Sequence, residues 1–127
     1  MKPYVRPMPA TWWLQRRVYF MFMLREISSV FVAAYLILLL LMIHRLSQGP
    51  AAYASFLETL RSPGAIFFHV VALGFALLHT VTWFNLTPQA VAVRVGEDRV
   101  RPGLIIAPNY VAWVIVSAIV AWFVLKG

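Results

Sequence analysis

Few side chains of this sequence could take part in chemistry, because cysteine is absent and only four residues are acidic. His79 and Trp83 are four residues apart, a spacing that places an imidazole and an indole on one face of a helix. Glu26 is the one carboxylate within a long apolar stretch, and Arg25 precedes it. Imidazole and carboxylate groups can exchange protons, and an indole offers a flat wall with an N–H donor. Such groups would suit a planar, membrane-soluble ligand that exchanges protons.

These groups lie in stretches that are long and apolar enough to cross a membrane. Of the 127 residues, 62% are hydrophobic and 12% are charged, whereas about a quarter of a soluble domain is charged. A helix needs about 20 mostly apolar residues to span the hydrocarbon core. The sequence therefore predicts an all-α integral membrane protein with a single membrane domain over residues 1–127. Its three transmembrane helices are predicted at residues 21–44, 65–86 and 104–125.

The residues before the first span predict an N-terminal interfacial segment. Trp12 and Trp13 are followed by Arg16 and Arg17, which would place indoles at the headgroup level and guanidinium groups near lipid phosphates. The segment contains several prolines and has no compact apolar region before a small-residue cleavage site. We therefore expect the first helix to remain in the mature protein.

The positions of lysine and arginine predict the orientation. With a cytoplasmic N terminus, eight of these residues lie inside and three lie outside, as the positive-inside rule requires. We therefore expect the C terminus on the periplasmic side. The net charge of +7 then reflects topology rather than binding to nucleic acid. The inner set is Lys2, Arg6, Arg16, Arg17, Arg25, Arg94, Arg99 and Arg101, and the outer set is Arg45, Arg61 and Lys126.

The two loops carry weaker patterns. Apolar residues recur at helical spacing between the first two spans, which predicts a short amphipathic helix on the outer surface; they are Tyr53, Phe56, Leu57 and Leu60. The inner loop covers residues 88–102. Its valine-rich part, followed by Gly96, is compatible with a small hairpin or with an extended segment.

The expected topology places the polar groups at similar depth. His79 precedes Leu86, the inner end of the second span, by seven residues, or about 10 Å along a helix. Trp83 is one turn closer to that end, and Glu26 is near the inner edge of the first span. Arg25 and Glu26 point about 100° apart on a helix, so we do not expect them to form a facing pair.

Small residues continue both polar faces and would let other helices approach. Ala72 and Ala76 share the face of the histidine, and Ser29 and Ala33 share the face of Glu26. A quinone would suit such faces. Its redox reaction moves two electrons and two protons, so its oxygens need hydrogen-bonding groups that can exchange protons. Packing without any ligand is the alternative that this pattern leaves open.

Four strings of residues carry a resemblance to a known family. They are Lys-Pro-Tyr-Val-Arg-Pro-Met at 2–8, Thr-Trp-Trp at 11–13, Met-Leu-Arg-Glu at 23–26 and Leu-Leu-His-Thr-Val-Thr-Trp-Phe at 77–84. In order and position they resemble the C subunit of fumarate reductase, over nearly the whole chain. The third span matches only as a hydrophobic segment.

The resemblance implies a non-catalytic anchor of a quinol:fumarate oxidoreductase in the bacterial inner membrane. In that family a flavoprotein subunit with FAD reduces fumarate during anaerobic respiration, and an iron–sulfur subunit transfers the electrons. Two small anchors, the C and D subunits, hold them on the cytoplasmic face and bind menaquinol. This chain has no cysteine for a cluster, so FAD and iron–sulfur clusters are expected only in the partner subunits, and no metal site is expected here.

The resemblance also implies a quinone site in this chain. Three candidates lie within matching strings: Glu26, His79 and Trp83. Arg25 is the chain neighbour of Glu26 and is a further candidate. Glu26 would take up protons from the quinol, His79 would hydrogen-bond a quinol oxygen, and Trp83 would line the pocket. Ser29 stands where the family has a small residue and is a further candidate contact.

A haem b anchor of the succinate dehydrogenase type is one alternative. His69 and His79 would be about 15 Å apart along one helix, too far to hold one iron. His44 and His69 are expected at comparable outer depth and could in principle hold a haem. The proteins that this chain resembles carry none, so no haem is expected.

A small proton-coupled multidrug transporter is the alternative from another class. Such proteins also use a glutamate in the first membrane helix. They usually have four spans in about this length, with the carboxylate well inside the bilayer. Three predicted spans and the peripheral position of Glu26 argue against this alternative.

Overall fold

The computed structural model of the chain describes residues 7–91 and 93–126. Lys2 and Arg6 of the charge pattern, and residues 2–6 of the first family string, lie outside the described residues. Within the described part, three helices are long and apolar enough to cross a membrane. The predicted all-α membrane fold is confirmed.

Four α-helices follow a short 3₁₀ helix at Trp12–Leu14. The three long ones contain the predicted spans and extend a few residues beyond them. Proline occupies the first position of the last three helices, where its fixed φ suits a helix and its missing N–H costs nothing. In chain order the helices are α1 Arg17–Ser47, α2 Pro50–Leu60, α3 Pro63–Ala90 and α4 Pro102–Lys126.

The chain falls into two compact units, Met1–His79 and Thr80–Gly127. In the first unit, α1 packs against the first part of α3 through aromatic side chains. Phe31 stacks on Phe75 with ring centroids 4.2 Å apart, and Tyr35 lies edge-on to His69 at 5.6 Å. The later residue of α1, Tyr35, contacts the earlier residue of α3, His69. The two helices are therefore antiparallel.

The start of the first unit packs onto the first turn of α1. The Trp12 ring lies edge-on to Tyr19, with centroids 5.3 Å apart, and the Trp13 ring stacks on Phe20 at 6.2 Å. The two indoles are therefore held at one end of the first long helix. Their position at the membrane interface stays a prediction.

The predicted short helix between the first two spans is present as α2. Gly49 precedes it with a φ of 106°, a value that side-chain-bearing residues rarely adopt. The four predicted apolar residues of α2 are half-buried, whereas Glu58 and Thr59 are exposed. The amphipathic pattern is thus confirmed, and its place on the outer surface stays a prediction.

The second unit contains the end of α3, a hairpin and α4. Strands β1 Arg94–Val95 and β2 Asp98–Arg99 pair antiparallel, with Gly96 in the turn at a φ of 65°. The hairpin is therefore the correct one of the two interpretations. Asn85 Nδ2 donates to the Tyr110 hydroxyl at 3.0 Å and joins α3 to α4.

The α3 helix ends further along the chain than the second predicted span. It passes Leu86 and includes Pro88, whereas the sequence predicts Pro88 in the loop. Proline has no N–H to offer the carbonyl four residues earlier, and two side chains donate to other carbonyls of this stretch. The Thr87 hydroxyl donates to the Trp83 carbonyl at 2.9 Å, and Arg99 Nη2 donates to the Pro88 carbonyl at 3.0 Å.

Candidate functional site

Ser28 is the most deeply buried polar residue of the candidate site, with 0% of its surface exposed. Its position on the α3-facing side of α1 follows from helical spacing, because Phe31 and Tyr35 are three and seven residues later. Its hydroxyl donates to the Arg25 carbonyl, and its Oγ lies 3.0 Å from His79 Nδ1. A polar group without water nearby must be satisfied internally, and Ser28 meets this need through both contacts.

Arg25 lies on the same side of α1 as Ser28, three residues earlier. Its side chain is 16% exposed and that of Glu26 is 49% exposed, and Arg25 Nε lies 3.4 Å from Glu26 Oε1. The expectation that these neighbours do not meet is wrong, because the long arginine side chain reaches across the angle between them. The guanidinium carbon is also 5.1 Å from the centre of the Phe22 ring.

The face of α1 that packs against α3 differs from the expected one. Glu26, Ser29 and Ala33 are all exposed, and the Ser29 hydroxyl donates to the Glu26 carbonyl. The packed face begins instead at Ser28, one helical position of about 100° away. Ser29 therefore remains a predicted ligand contact without a packing role in this chain.

The small face of α3 behaves largely as expected. Ala72 is 4% exposed, and Ala76 is half-buried. A methyl side chain at Ala72 lets α1 approach α3 closely, and this approach brings Ser28 within hydrogen-bond distance of His79.

The structure thus joins three predicted site residues through one that was missed. Glu26 contacts Arg25, the Arg25 carbonyl accepts from Ser28, and Ser28 meets His79. The serine could have been found from its place three residues after Arg25 on the same helical face. Trp83 belongs to the second unit, is 43% exposed, and stays a prediction from the sequence.

His44 and His69 do not form the pair that a haem would need. Tyr35 faces His69, and His44 is nine residues beyond Tyr35 on α1, or about 13 Å along the axis. His44 Nε2 instead lies 3.2 Å from Gln48 Nε2. The expectation of comparable depth for His44 and His69 is therefore wrong. The described residues contain no group of three or more potential metal-ligating His, Cys, Asp or Glu side chains.

His69 lies beside an open apolar groove of about 360 Å³. Its Nδ1 is buried and has no hydrogen-bond partner among the described residues. The groove is lined by Phe31, Val32, Tyr35, Leu36, His69, Ala72, Leu73 and Ala76.

Three long apolar helices and an intramembrane histidine bonded to a buried serine define a multi-pass α-helical membrane protein. Residues 1–125 match the family model of the fumarate reductase C subunit. The chain is 43% identical over 126 residues to the fumarate reductase C subunits of Mycobacterium tuberculosis strains H37Ra and H37Rv, which covers 99% of this chain and 100% of each relative. It therefore belongs to the family of fumarate reductase C subunits, as its strings of residues indicated, and is a membrane component of a fumarate reductase complex.

Proposed function

We propose that this chain is an anchor that holds the flavoprotein and iron–sulfur subunits of fumarate reductase on the cytoplasmic face of the bacterial inner membrane. A second small membrane anchor, the D subunit, completes the membrane part. Family membership and three apolar helices support the anchor role. The distribution of lysine and arginine supports a cytoplasmic N terminus and a periplasmic C terminus.

The proposed function includes binding of menaquinol, which is the electron donor and substrate of the complex. The observation that carries it is the contact of 3.0 Å between the buried Ser28 hydroxyl and the half-buried His79. Ionisable residues at membrane depth are costly and usually mark a functional site. A hydrogen-bonded histidine here has the chemistry that a quinol hydroxyl requires.

Oxidation of one quinol releases two electrons and two protons. The electrons pass to the iron–sulfur subunit, since this chain has no cysteine to ligate a cluster. The protons need acceptors in the membrane part. His79 accepts one from a quinol hydroxyl, and Glu26, whose side chain is 49% exposed on the surface of this chain, accepts the other and passes it towards the aqueous side.

The remaining candidates have supporting roles. Arg25 holds the Glu26 carboxylate from the α3-facing side of α1. Trp83, by its sequence position, supplies a flat apolar wall for the quinone ring. Ser29 is a candidate contact on the exposed side.

A substitution at Glu26 tests this function in the complete complex. Glu26→Gln keeps the size of the side chain and removes its ability to take up a proton at neutral pH. Fumarate reduction is measured with a reduced naphthoquinol and, separately, with a water-soluble reduced dye that delivers electrons directly to the partner subunits. We expect the quinol-driven rate to fall about 100-fold, the range of a lost acid–base group, while the dye-driven rate is unchanged.

Glu58→Gln is the matched control, because Glu58 is exposed and bonded to Arg61 at 2.8 Å outside the predicted spans. It should leave both rates unchanged. An unaltered quinol-driven rate in Glu26→Gln would contradict the proposed role of the carboxylate. The absorption spectrum of the same preparation tests the expectation that haem is absent.

A further inference from the structure

The two contacts of Ser28 determine which atom donates in each. A hydroxyl has one hydrogen and two lone pairs, and a backbone carbonyl can only accept. The bond to the Arg25 carbonyl therefore uses the single Ser28 hydrogen. Towards His79, at 3.0 Å, the same oxygen can only accept.

The histidine must then carry a hydrogen on Nδ1. A neutral imidazole has a single N–H, and its other ring nitrogen holds a lone pair. With the hydrogen on Nδ1, the lone pair is on Nε2. In the opposite tautomer the Ser28 hydroxyl would have to donate to His79 Nδ1, and its bond to the Arg25 carbonyl would be lost.

We propose that Ser28 is the positioning residue of the quinol site: it fixes the Nδ1–H tautomer of His79 and thereby makes Nε2 the atom that accepts the quinol proton. The inference rests on the proposed function, in which His79 meets the quinol. Ser28 itself does not touch the quinol and acts through the imidazole.

The arrangement serves both protonation states of the ring. When a quinol O–H bond breaks, the N–H bond forms at Nε2, and the electrons leave to the iron–sulfur subunit. The resulting imidazolium still donates from Nδ1 to Ser28, now in a charge-assisted and stronger bond. The His79 ring therefore does not have to flip, and it keeps its bond to Ser28, during proton transfer.

A second serine of α1 shows that the local backbone bond alone does not give this role. Ser47 also donates to the carbonyl three residues earlier, that of His44, but it is exposed. Ser28 makes the same local bond at a buried position opposite a histidine. Ser28 and Ser47 are thus a matched pair for an experiment.

The experiment uses the complete complex with Ser28→Ala, Ser28→Thr and Ser47→Ala. We expect Ser28→Ala to lower kcat for quinol oxidation about tenfold, because the ring loses its fixed tautomer and orientation, while the dye-driven rate stays unchanged. Ser28→Thr should restore the rate, since a threonine hydroxyl can make the same backbone bond in a helix. Ser47→Ala should behave as the wild type, because its hydroxyl makes the same local bond outside the site. Equal rates in Ser28→Ala and the wild type would overturn the proposal.

A spectroscopic measurement decides the tautomer without any change at Ser28. In ¹⁵N-histidine NMR of the complex, the His79 signals are those that disappear in His79→Leu. We expect a protonated Nδ1 and an unprotonated Nε2. A proton on Nε2 of the neutral ring would overturn the proposal even if Ser28→Ala lowered the rate of quinol oxidation. If Nδ1 is protonated but His79→Leu retains quinol oxidation, the proposed function of His79 is overturned, and with it the positioning role, while the tautomer assignment stands.

Discussion

The two histidines of α3 have the same side chain and very different surroundings. His79 and His69 are ten residues apart, or about 15 Å along the helix. His79 Nδ1 meets a buried serine hydroxyl at 3.0 Å, whereas His69 Nδ1 is buried without a hydrogen-bond partner among the described residues. Partial burial is common to both rings, so burial alone does not orient an imidazole for proton transfer.

The opposing residues of α1 cause the difference. Opposite His79, α1 presents a serine, which is small and has a hydroxyl. Opposite His69, α1 presents the ring of Tyr35 edge-on at 5.6 Å, beside an apolar groove of about 360 Å³. The Phe31–Phe75 stack lies between the two regions. One helix pair thus offers a directed hydrogen bond near one histidine and mainly van der Waals contact near the other.

The largest expected effect comes from replacing each histidine by leucine in the complete complex. His79→Leu should lower quinol-driven fumarate reduction about 100-fold, because a proton acceptor is lost. His69→Leu should leave the rate within about twofold, since no polar contact among the described residues fixes its Nδ1. The dye-driven rate, measured in parallel, checks assembly. Equal losses in the two variants would contradict the distinction between the two regions.

A smaller effect is expected from the residue that sets the approach of the two helices. Ala72 is 4% exposed, so Ala72→Leu should overpack the α1–α3 contact at a cost of about 1–3 kcal/mol. The measurement is the temperature at which half of the purified complex is lost from its size-exclusion peak. We expect this midpoint to fall, and the Ser28–His79 contact to loosen with it.

Gly74→Ala is the matched control for Ala72→Leu, only two residues away. A Cβ at Gly74 would meet nothing within 4 Å, and alanine favours a helix interior over glycine by about 1 kcal/mol. Its midpoint should therefore stay level or rise. A fall as large as that of Ala72→Leu would show that the sensitive surface is not the α1–α3 contact.

Helix positions followed from the sequence, whereas helix faces did not. Long apolar stretches predict spans whatever their neighbours are, and prolines at 50, 63 and 102 stand at helix starts. The packed face of α1 could not be read in this way, because apolar residues surround the whole helix and provide no amphipathic stripe. An error of one position assigned the packing role to Ser29 instead of Ser28. The contact of Arg25 with Glu26 depends on side-chain rotamers, which spacing alone does not determine.

The smallest expected effect is on thermal stability after replacement of His69, and it separates the two regions most directly. A buried polar atom without a partner costs about 1–3 kcal/mol, and replacing it by an apolar group of similar shape can be neutral or stabilising. His69→Leu should therefore leave the thermal midpoint of the complex unchanged or slightly raised. His79→Leu should lower it, because Ser28 loses one of its two contacts. The opposite order would mean that His69 gains a hydrogen-bond partner on assembly, so that another protein of the complex would orient its imidazole.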